Sequence, residues 1–232
     1  MPTLTRPRND PGQYDDLAEE WWRPGGAFEP LHWLARARAD LIPSGARGVL
    51  LDVACGGGLL APHVKGKGYR HVGVDIGDRA TRIAREHGIA TVRGDVLRLP
   101  LADESADVVV AGEVFEHVRD LDGMLREIGR VLKPGGTLVC DTLADTRICK
   151  VVMVSVAERL PFVPKGIHDP DLFVDPQRLQ RICADNGIDL KVRGLRPSVL
   201  DALKWRLGRT RDVRMVPMRW TGVVYQGLGV KR

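Results

Sequence analysis

Three consecutive glycines follow an acidic residue in the first third of the chain, within the run V-L-L-D-V-A-C-G-G-G from Val49 to Gly58. The apolar part of this run predicts a buried strand. The glycines allow the backbone to turn sharply and to approach a ligand closely before a helix begins. We therefore predict a cofactor loop formed by Asp52, Ala54, Gly56 and Gly58. Nicotinamide, flavin and S-adenosylmethionine (SAM) folds all use a loop of this kind.

Two acids and a histidine with helical spacing form a second candidate site. Glu113, Glu116 and His117 stand at positions i, i+3 and i+4, which lie on one face of a helical turn. With His168 as a fourth ligand they could hold Mg2+, Mn2+ or Zn2+, and such an ion would lower the pKa of a bound hydroxyl group. Without an ion, His117 or His168 could act alone as a general base. In the structural alternative, Glu113 caps a helix and His117 is a wall residue.

The elements that position these residues alternate between strand and helix. Short apolar runs predict five strands, at residues 49–53, 72–75, 91–93, 106–112 and 137–142, with helices at 59–67, 79–87 and 121–132 between them. We predict an α/β fold with a doubly wound, mostly parallel, seven-stranded Rossmann-like sheet, in which ligands bind at the carboxyl ends of the strands. The last two strands, near 188–194 and 221–229, would form an antiparallel pair interrupted by the basic segment 204–214.

An acid ends the second predicted strand, 17 positions after Gly58. A carboxylate at this place can accept hydrogen bonds from both hydroxyl groups of an adenosine ribose. Asp75 is therefore the predicted ribose ligand, with a helix cap as its structural alternative.

Four regions are predicted along the chain. They are a flexible N-terminus at 1–12, a helical cap at 13–47, a cofactor-binding domain at 48–232 and an insertion within that domain at 146–176. Apolar residues at helical spacing between Leu31 and Ile42 predict that the cap contains an amphipathic helix lying across the cofactor domain. The insertion includes a mostly apolar stretch at 148–164, which would serve as a lid, a lipid-tail groove or an interfacial helix.

Composition excludes several classes of protein. The 232 residues are 44% hydrophobic and 28% charged, with no apolar run near the ~20 residues that cross a bilayer and no N-terminal leader pattern. Four scattered cysteines predict reduced thiols rather than a disulfide framework or a zinc site. We expect a cytoplasmic protein. The net charge of +5 is concentrated after Asp185, where eleven Lys and Arg face four Asp; this stretch would meet phosphates, anionic lipid or solvent alone.

The cofactor loop has a specific spacing. Asp52, Gly56 and Gly58 fit D-x-(small)-x-G-x-G rather than the dinucleotide pattern G-x-G-x-x-G, and the loop resembles the first motif of the class I SAM-dependent methyltransferases. Ala54 stands where that family usually has glycine. Two further segments resemble the 3-demethylubiquinol O-methyltransferases (UbiG type). W-W-R-P-G-G-A-F-E-P-L-H is similar to their W-W-D-P-x-G-x-F-x-P-L-H, and V-P-K-G-I-H-D-P-D-L-F-V-D-P is similar to their V-P-K-G-T-H-D-x-x-K-F-I-x-P.

This resemblance covers about residues 14–200 and implies further site residues. It implies that Arg38 binds the SAM carboxylate, with Arg36 as a competitor because the family's N-P-L-R reads A-R-A-R here. It also implies that Asp95 accepts from the adenine amino group while Val96 packs on the ring. Ile76 and Glu113 complete the predicted cofactor site. Since the family acts on long-tailed substrates, the resemblance also favours peripheral membrane contact through 148–164.

The resemblance implies a SAM-dependent O-methyltransferase that acts on a phenol or catechol hydroxyl of a small substrate. The substrate would be a prenylated quinone precursor or a secondary metabolite. Catalysis would use a metal ion, a histidine base or alignment of the two substrates alone. One alternative is a terminal RNA 2′-O-methyltransferase, since E-x-x-E-H also resembles the metal site of small-RNA methyltransferases; no RNA-binding motif supports it, and we expect no nucleic-acid partner. The other alternative is a SAM-binding protein without catalysis.

Overall fold

Eight strands build one sheet at the centre of the protein. The computed structural model describes residues 6–45, 47–159 and 163–232. The strands, in chain order, are β1 (Gly48–Val53), β2 (Tyr69–Asp75), β3 (Ala90–Arg93), β4 (Ala106–Gly112), β5 (Leu132–Leu143), β6 (Ile188–Pro197), β7 (Met215–Met218) and β8 (Val224–Lys231). Their order across the sheet is β3-β2-β1-β4-β5-β8-β6-β7. The first five strands are parallel to one another, and β8, β6 and β7 are added in antiparallel pairs.

The structure confirms the predicted α/β class, the mostly parallel sheet and the antiparallel strands that complete it. The sheet has one strand more than predicted. The extra strand is β7, which follows the basic segment that was predicted to interrupt the last pair. It pairs with the end of β6, from Gly194 to Pro197. Met215, Val216 and Met218 make this short run apolar enough to pair at the sheet edge.

Eight α-helices connect or cover the strands in the described part of the chain. They are α1 (Gly12–Asp16), α2 (Glu29–Ala39), α3 (Ala61–Val64), α4 (Asp78–Glu86), α5 (Leu121–Val131), α6 (Arg147–Lys150), α7 (Pro176–Asp185) and α8 (Val199–Arg206). Short 3-10 turns occur at Ala18–Glu20, Phe115–His117, Ala157–Arg159 and Pro170–Leu172, and a single π-helical segment at Val151–Val156 continues α6. The helix predicted at 59–67 is shorter than expected, because only Ala61–Val64 is α-helical.

The central strands are apolar on both faces because each face is covered. Leu50 in β1 belongs to a core cluster with residues of α2 and α3. Its neighbour Leu51 belongs to a second cluster with residues of α5 and α7. Successive residues of a strand point to opposite faces of the sheet, so a continuous apolar run is what two covered faces require. This arrangement leaves the carboxyl ends of the parallel strands open for a ligand.

The segment before β1 lies over these strand ends. Trp21 and Phe28 are buried in a cluster of their own, with ring centroids 4.3 Å apart. The amphipathic helix predicted between Leu31 and Ile42 is α2, whose residues Leu34, Ala35 and Ala39 are buried. The N-terminal part of the chain therefore covers the site.

The insertion after β5 begins with α6 and the π-helical segment. Residues 160–162 of the stretch predicted at 148–164 lie outside the described residues, as do residues 1–5 of the predicted N-terminal region. Among the residues that are described, no helix combines the length and the apolar character needed to cross a bilayer. All four cysteines are buried free thiols.

Candidate active site

A cavity of about 610 Å3 opens at the carboxyl ends of β1, β2 and β4, beneath the N-terminal segment. Most of the residues predicted to form the site lie in its wall: Arg38, Asp52, Ala54, Gly56, Asp75, Ile76, Asp95, Val96, Glu113, His117 and His168. Gly58 and Glu116 lie behind the wall. A Cβ atom at Gly58 would come within 3.0 Å of Ala84 Cα, which shows that this glycine permits close packing against α4.

The glycine loop needs its glycines for two reasons. Gly56 and Gly58 have φ of 51° and 81°, in the left-handed region that favours glycine. A Cβ atom at Gly57 would lie 2.5 Å from Trp21 Cγ, so Trp21 can cover the loop only because the side chain is absent. Trp22 Nε1 also donates to Gly57 O over 2.8 Å. Ala54 has φ of 56°, a conformation that costs an alanine more than a glycine.

Asp75 ends β2 inside the cavity and is held by the loops on either side. Gly56 N donates to one of its carboxylate oxygens and Gly77 N to the other, each over 2.8 Å. Burial raises the pKa of Asp75, and the two amide hydrogen bonds act in the opposite direction. Each carboxylate oxygen has a second lone pair, so this group can still accept two hydroxyl hydrogens. Asp75 does not cap the helix that follows it, α4. Asp15 has that role, because the N–H groups of Asp78, Arg79 and Ala80 donate to it.

The side of the cavity that is predicted to hold adenine is more open than the side at Asp75. Ile76 is 51% exposed, although its side chain lines the cavity. Asp95 Oδ1 accepts from Leu97 N over 2.9 Å, which leaves the other oxygen directed away from this turn. Asp52 is buried in β1, with Oδ2 3.3 Å from His71 Nε2.

Arg38 reaches the cavity and Arg36 does not. Arg38 Nη1 bonds to both carboxylate oxygens of Asp141, over 2.7 and 2.8 Å, and both side chains are buried. Gly112 makes room for this pair, since a Cβ atom there would lie 2.3 Å from Arg38 Cζ. Arg36 instead forms a surface ion pair with Asp212. Burial opposes the charge of Arg38, but the carboxylates around it, led by Asp141, raise its pKa.

Two further carboxyl groups are buried beside the Arg38 and Asp141 pair. Glu113 follows β4 with φ of 51°, and its backbone N–H donates to Asp141 O over 3.0 Å. Burial, and then the charges of Glu116 and Asp141, raise the pKa of Glu113 well above its ordinary value. Glu116 Oε2 accepts from Thr142 Oγ1 over 2.6 Å, and burial raises the pKa of Glu116 to about 7. Glu113 in the cavity wall and Glu116 behind it therefore retain their protons to a higher pH than exposed glutamates do.

His117 has partners at both ring nitrogens. Nδ1 bonds to Asn9 Oδ1, and Nε2 lies 2.9 Å from Tyr14 Oη. Because the amide oxygen can only accept, Nδ1 carries the proton and Nε2 accepts from the Tyr14 hydroxyl. Burial lowers the pKa of His117 to about 3, and burial also raises the pKa of Tyr14 well above its ordinary value. His117 is thus a neutral residue held in place by the N-terminal segment.

His168 stacks beside His117, with ring centroids 5.6 Å apart and planes at 23°. Its Nδ1 is buried and has no hydrogen-bond partner in the part of the chain that the structure describes. Burial lowers the pKa of His168 to about 4, while the charge of Glu158 acts in the opposite direction. His168 therefore lines the cavity with a neutral imidazole whose Nδ1 is buried behind the cavity surface.

The four side chains predicted to bind a metal do not form a coordination shell. Glu116 turns to Thr142, and both ring nitrogens of His117 are engaged by Asn9 and Tyr14. No group of three or more His, Cys, Asp or Glu with metal-binding geometry occurs among residues 6–45, 47–159 and 163–232. The i, i+3, i+4 spacing assumes a helix that begins at Glu113, but only Phe115–His117 forms a 3-10 turn, and Glu113 precedes it with φ of 51°. The metal prediction is not supported.

Four residues that position the site were not predicted. Asn9 and Tyr14 hold His117 across more than 100 positions of sequence, and no local pattern signals such a contact. Asp15 caps α4 from α1 in the same way. Asp141 could have been found, since an acid within the apolar run L-V-C-D-T-L ends a predicted strand as Asp75 does.

Comparison with known proteins shows which class of enzyme has this fold. A family model described as a methyltransferase domain matches residues 51–140. A SAM-dependent methyltransferase structure from Thermotoga maritima superposes with a TM-score of 0.69 at 19% identity, covering 95% of this chain and 97% of that one. A methyltransferase of Haloferax volcanii, solved with the Trm112 activator, has a TM-score of 0.67 at 21% identity and covers 94% of this chain and 97% of its own. The protein is a class I SAM-dependent methyltransferase.

Curated relatives narrow the class to a family. The ubiquinone biosynthesis O-methyltransferase of Vibrio vulnificus is 31% identical over 230 residues, covering 92% of this chain and 97% of that protein. The protein of the same name from Idiomarina loihiensis is 32% identical over 214 residues, covering 87% of each chain. The chain belongs to the ubiquinone biosynthesis O-methyltransferase family. The resemblance drawn from the three sequence motifs is therefore confirmed.

Proposed function

We propose that this methyltransferase transfers the methyl group of SAM to a phenol or catechol hydroxyl of an apolar, prenylated quinone precursor. The observation that carries the proposal is the imidazole of His168, whose Nδ1 has no partner in the described residues and which lines a cavity whose other walls are mostly hydrophobic. The names of the relatives, which refer to ubiquinone biosynthesis and O-methylation, favour an acceptor of this kind. A neutral imidazole that can take a proton is what a phenol needs before it attacks a methyl group.

The cofactor half of the cavity supports a defined set of contacts. In our proposal Asp75 accepts the ribose hydroxyls, and Asp95 accepts from the adenine amino group while Ile76 and Val96 flank the ring. Arg38 uses only Nη1 for Asp141, so its remaining N–H groups can bind the carboxylate of the methionine moiety. Buried charge pairs of this kind fix orientation, which a methyl transfer in line with the breaking bond requires.

The acceptor half is lined by apolar side chains from three separate regions. The cap contributes Phe28 and Leu31, the insertion contributes Met153 and Ile167, and the sheet edge contributes Met215. Such walls exclude water and leave the substrate hydroxyl as the main polar group to be satisfied. A ring with an apolar tail fits this lining better than a nucleotide, which would need donors and cations for its phosphates.

SAM supplies a methyl group on a sulfonium, which makes it reactive toward an oxygen nucleophile. The chain has to align that oxygen and take its proton. In the proposed step the imidazole of His168 accepts the phenol proton as the oxygen attacks the methyl carbon and the bond from that carbon to sulfur breaks. The charge of Glu158 favours the imidazolium that results, and the charge of Arg8 opposes it. His117 is a positioning residue, because its partners Asn9 and Tyr14 fix its ring and the ring supports His168 by stacking.

The test compares two acceptors in the wild type and in His168→Ala. For a catechol that is protonated at neutral pH, we expect kcat to fall by about 10²- to 10³-fold, as for loss of a general base. For a nitro-substituted catechol that is already ionised, the same variant should lose far less, because no proton has to be removed. S-adenosylhomocysteine affinity, measured by calorimetry, should not change.

His63→Gln is the matched control, since His63 is a half-buried histidine that does not line the cavity. It should leave both activities unchanged. Equal losses on both acceptors in His168→Ala would remove the base role. Activity that is lost with EDTA and restored by Mg2+ would favour a metal mechanism, and methylation of an RNA terminus in preference to any phenol would overturn the proposed acceptor.

A further inference from the structure

Helix α8 exposes an apolar face to solvent. Val199, Leu200 and Leu203 are 74%, 58% and 55% exposed, and Leu207, directly after the helix, is 59% exposed. At 3.6 residues per turn these four side chains lie within an arc of about 100° around the helix axis. Isolated exposed apolar residues are ordinary, but four on one helix face form a continuous patch that needs an explanation.

Cations lie on both sides of this apolar arc. Lys204 falls about 40° beyond one edge and Arg206 about 20° beyond the other. Both are exposed, as are Arg209 and Arg211 in the loop that follows. In the described part of the chain, none of these four side chains takes part in an ion pair with Asp or Glu. An apolar stripe bordered by unpaired cations is the pattern of a helix that lies in the headgroup region of an anionic bilayer.

The opposite side of α8 is fixed to the protein. Asp201 is buried and pairs with Arg214, and Trp205 packs edge-to-face on Trp33 of α2 with ring centroids 5.3 Å apart. Trp33 Nε1 also donates to Arg211 O over 2.9 Å. The apolar arc therefore faces outward because the other face is anchored, and the helix cannot turn it inward without breaking these contacts.

The patch lies close to the cavity. Pro197 and Met215, on either side of α8 in the chain, line the cavity, and so does Trp33. A bilayer in contact with α8 would therefore lie close to the cavity. Delivery of an apolar acceptor from that bilayer rests on the proposed function, whereas binding of α8 to lipid does not.

We propose that α8 and the loop after it, residues 199–211, form a docking surface for an anionic phospholipid bilayer. Charge complementarity selects this occupant, since the free cations would repel another basic surface and would be of no use against neutral lipid. The four apolar side chains would enter the boundary between headgroups and acyl chains, and the cations would reach the phosphates. A second copy of the chain is disfavoured because it would bring the same cations together.

The test is flotation of the full chain with two kinds of vesicle and no substrate. We expect binding to vesicles of phosphatidylcholine with phosphatidylglycerol and little binding to phosphatidylcholine alone. Leu203→Asp should lower the partition coefficient at least tenfold. Arg206→Gln with Arg209→Gln should lower it about 25-fold, at about fivefold for each cation near the surface. The double variant Arg70→Gln with Arg85→Gln removes the same charge from exposed sites outside this surface and should change binding little.

Leu203→Met keeps the apolar side chain and should retain binding, which separates loss of the surface from loss of the fold. Unchanged affinity for S-adenosylhomocysteine in every variant would show that the variants fold. A wild type that fails to float with anionic vesicles would overturn the proposal. So would binding that is abolished by Val152→Glu in the insertion but kept by Leu203→Asp, or a dimer that Leu203→Asp dissociates. None of these readouts depends on methyl transfer, so the proposed function can fail separately.

Discussion

Glu116 and Asp141 are buried at the ends of β4 and β5, the half-buried Glu113 lies beside them, and the only buried arginine or lysine in the described residues is Arg38. One cation cannot balance three negative charges in a medium of low dielectric constant. Asp141, bonded twice to Arg38, is best placed to carry the single negative charge. Glu113 and Glu116 therefore keep protons to a higher pH than exposed glutamates do, which agrees with the raised pKa of each.

This protonation predicts a pH dependence of stability that belongs to Glu116. Its pKa rises from 4.5 to about 7 on folding. Between these values the folded protein binds a proton that the unfolded chain has released, so the stabilisation is complete below the unfolded pKa and is lost as the pH rises through the folded one. We expect Glu116→Gln to remove this loss, which urea unfolding between about pH 5 and about pH 8 would measure.

The two buried histidines give a dependence of the opposite sign. Their lowered pKa values make the folded state bind fewer protons than the unfolded chain, so they destabilise the fold as the pH falls below about 6.5. The wild-type curve combines both effects. The difference between wild type and Glu116→Gln isolates the glutamate. Parallel curves across the whole range would show that Glu116 titrates normally.

Ala54 allows a prediction about backbone strain. Its φ of 56° is unfavourable for any residue with a Cβ atom, and the family motif has glycine at this position. We expect Ala54→Gly to stabilise the protein by about 1 kcal/mol and to raise Tm by roughly 2–4 °C. Ala37→Gly in the middle of α2 is the control, because it should destabilise by a similar amount. A lower Tm for Ala54→Gly would show that the methyl group contributes packing that outweighs the strain.

Residues that belong to a short local motif could be predicted, and residues that act across the chain could not. The motif around Asp52 and the acid Asp75 stand in sequence next to the glycines or strand end that they serve. Asn9 and Tyr14 meet His117 only because the N-terminal segment crosses the strand ends, which depends on tertiary packing. The metal prediction was not supported for a related reason. The carboxylate of Glu116 accepts a hydrogen bond from Thr142, which lies on β5 and is distant in sequence.

At the scale of elements, α4 depends on a residue from another helix. Its own N-cap residue, Gly77, has no side chain that could cap the helix. Instead, the carboxylate of Asp15 in α1 accepts hydrogen bonds from three amide groups in the first turn of α4, over 3.0 to 3.1 Å. An anion at a helix N-terminus satisfies unpaired N–H groups and interacts favourably with the helix dipole. This contact joins the N-terminal cap to the helix that follows β2.

We expect Asp15→Ala to cost about 1–2 kcal/mol in the free energy of unfolding, as for loss of a helix cap. The change should also loosen α1, and with it the hydrogen bond from Tyr14 to His117, so limited proteolysis should cut the N-terminal segment faster. The neighbouring Asp16 pairs only with exposed Arg6, and Asp16→Ala should change neither property appreciably. Equal effects of the two variants would mean that the cap contributes nothing specific.

The strands were the best predicted elements, because a buried parallel strand has an unbroken apolar run that ends at a polar residue. The helices at the cofactor loop and the insertion were harder. Residues 59–67 have apolar residues and good helix formers, but Pro62 and Gly66 limit the helix to Ala61–Val64. The stretch from Val151 to Val156 is rich in valine, which is β-branched. Sequence patterns do not distinguish a π-helical segment from a regular helix or a strand.

For the molecule as a whole, the cavity is assembled from parts that are distant in sequence. The sheet supplies Asp75, the cap supplies Arg38 and the insertion supplies His168. A ligand that contacts all three should therefore stabilise the global fold rather than one region. At about 100 times Kd, a ligand that binds only the folded state adds about 2.7 kcal/mol, and for a chain of this size that corresponds to a rise in Tm of about 5–10 °C.

This linkage gives a whole-molecule test of the ribose contact that does not depend on catalysis. Asp75→Asn should reduce the rise in Tm caused by S-adenosylhomocysteine to about 1–2 °C, since losing charge-assisted hydrogen bonds to two hydroxyls weakens binding by about 100-fold. The variant will also have a lower Tm without ligand. Asp75 accepts hydrogen bonds from two loop N–H groups, and the NH2 group of an asparagine would face one of these donors without being able to accept from it. The shift on adding ligand, and not Tm itself, is therefore the measurement. Asp189→Asn in β6 removes an exposed carboxylate outside the cavity and should keep the full shift. A full shift in Asp75→Asn would mean that adenosine is not held at the end of β2.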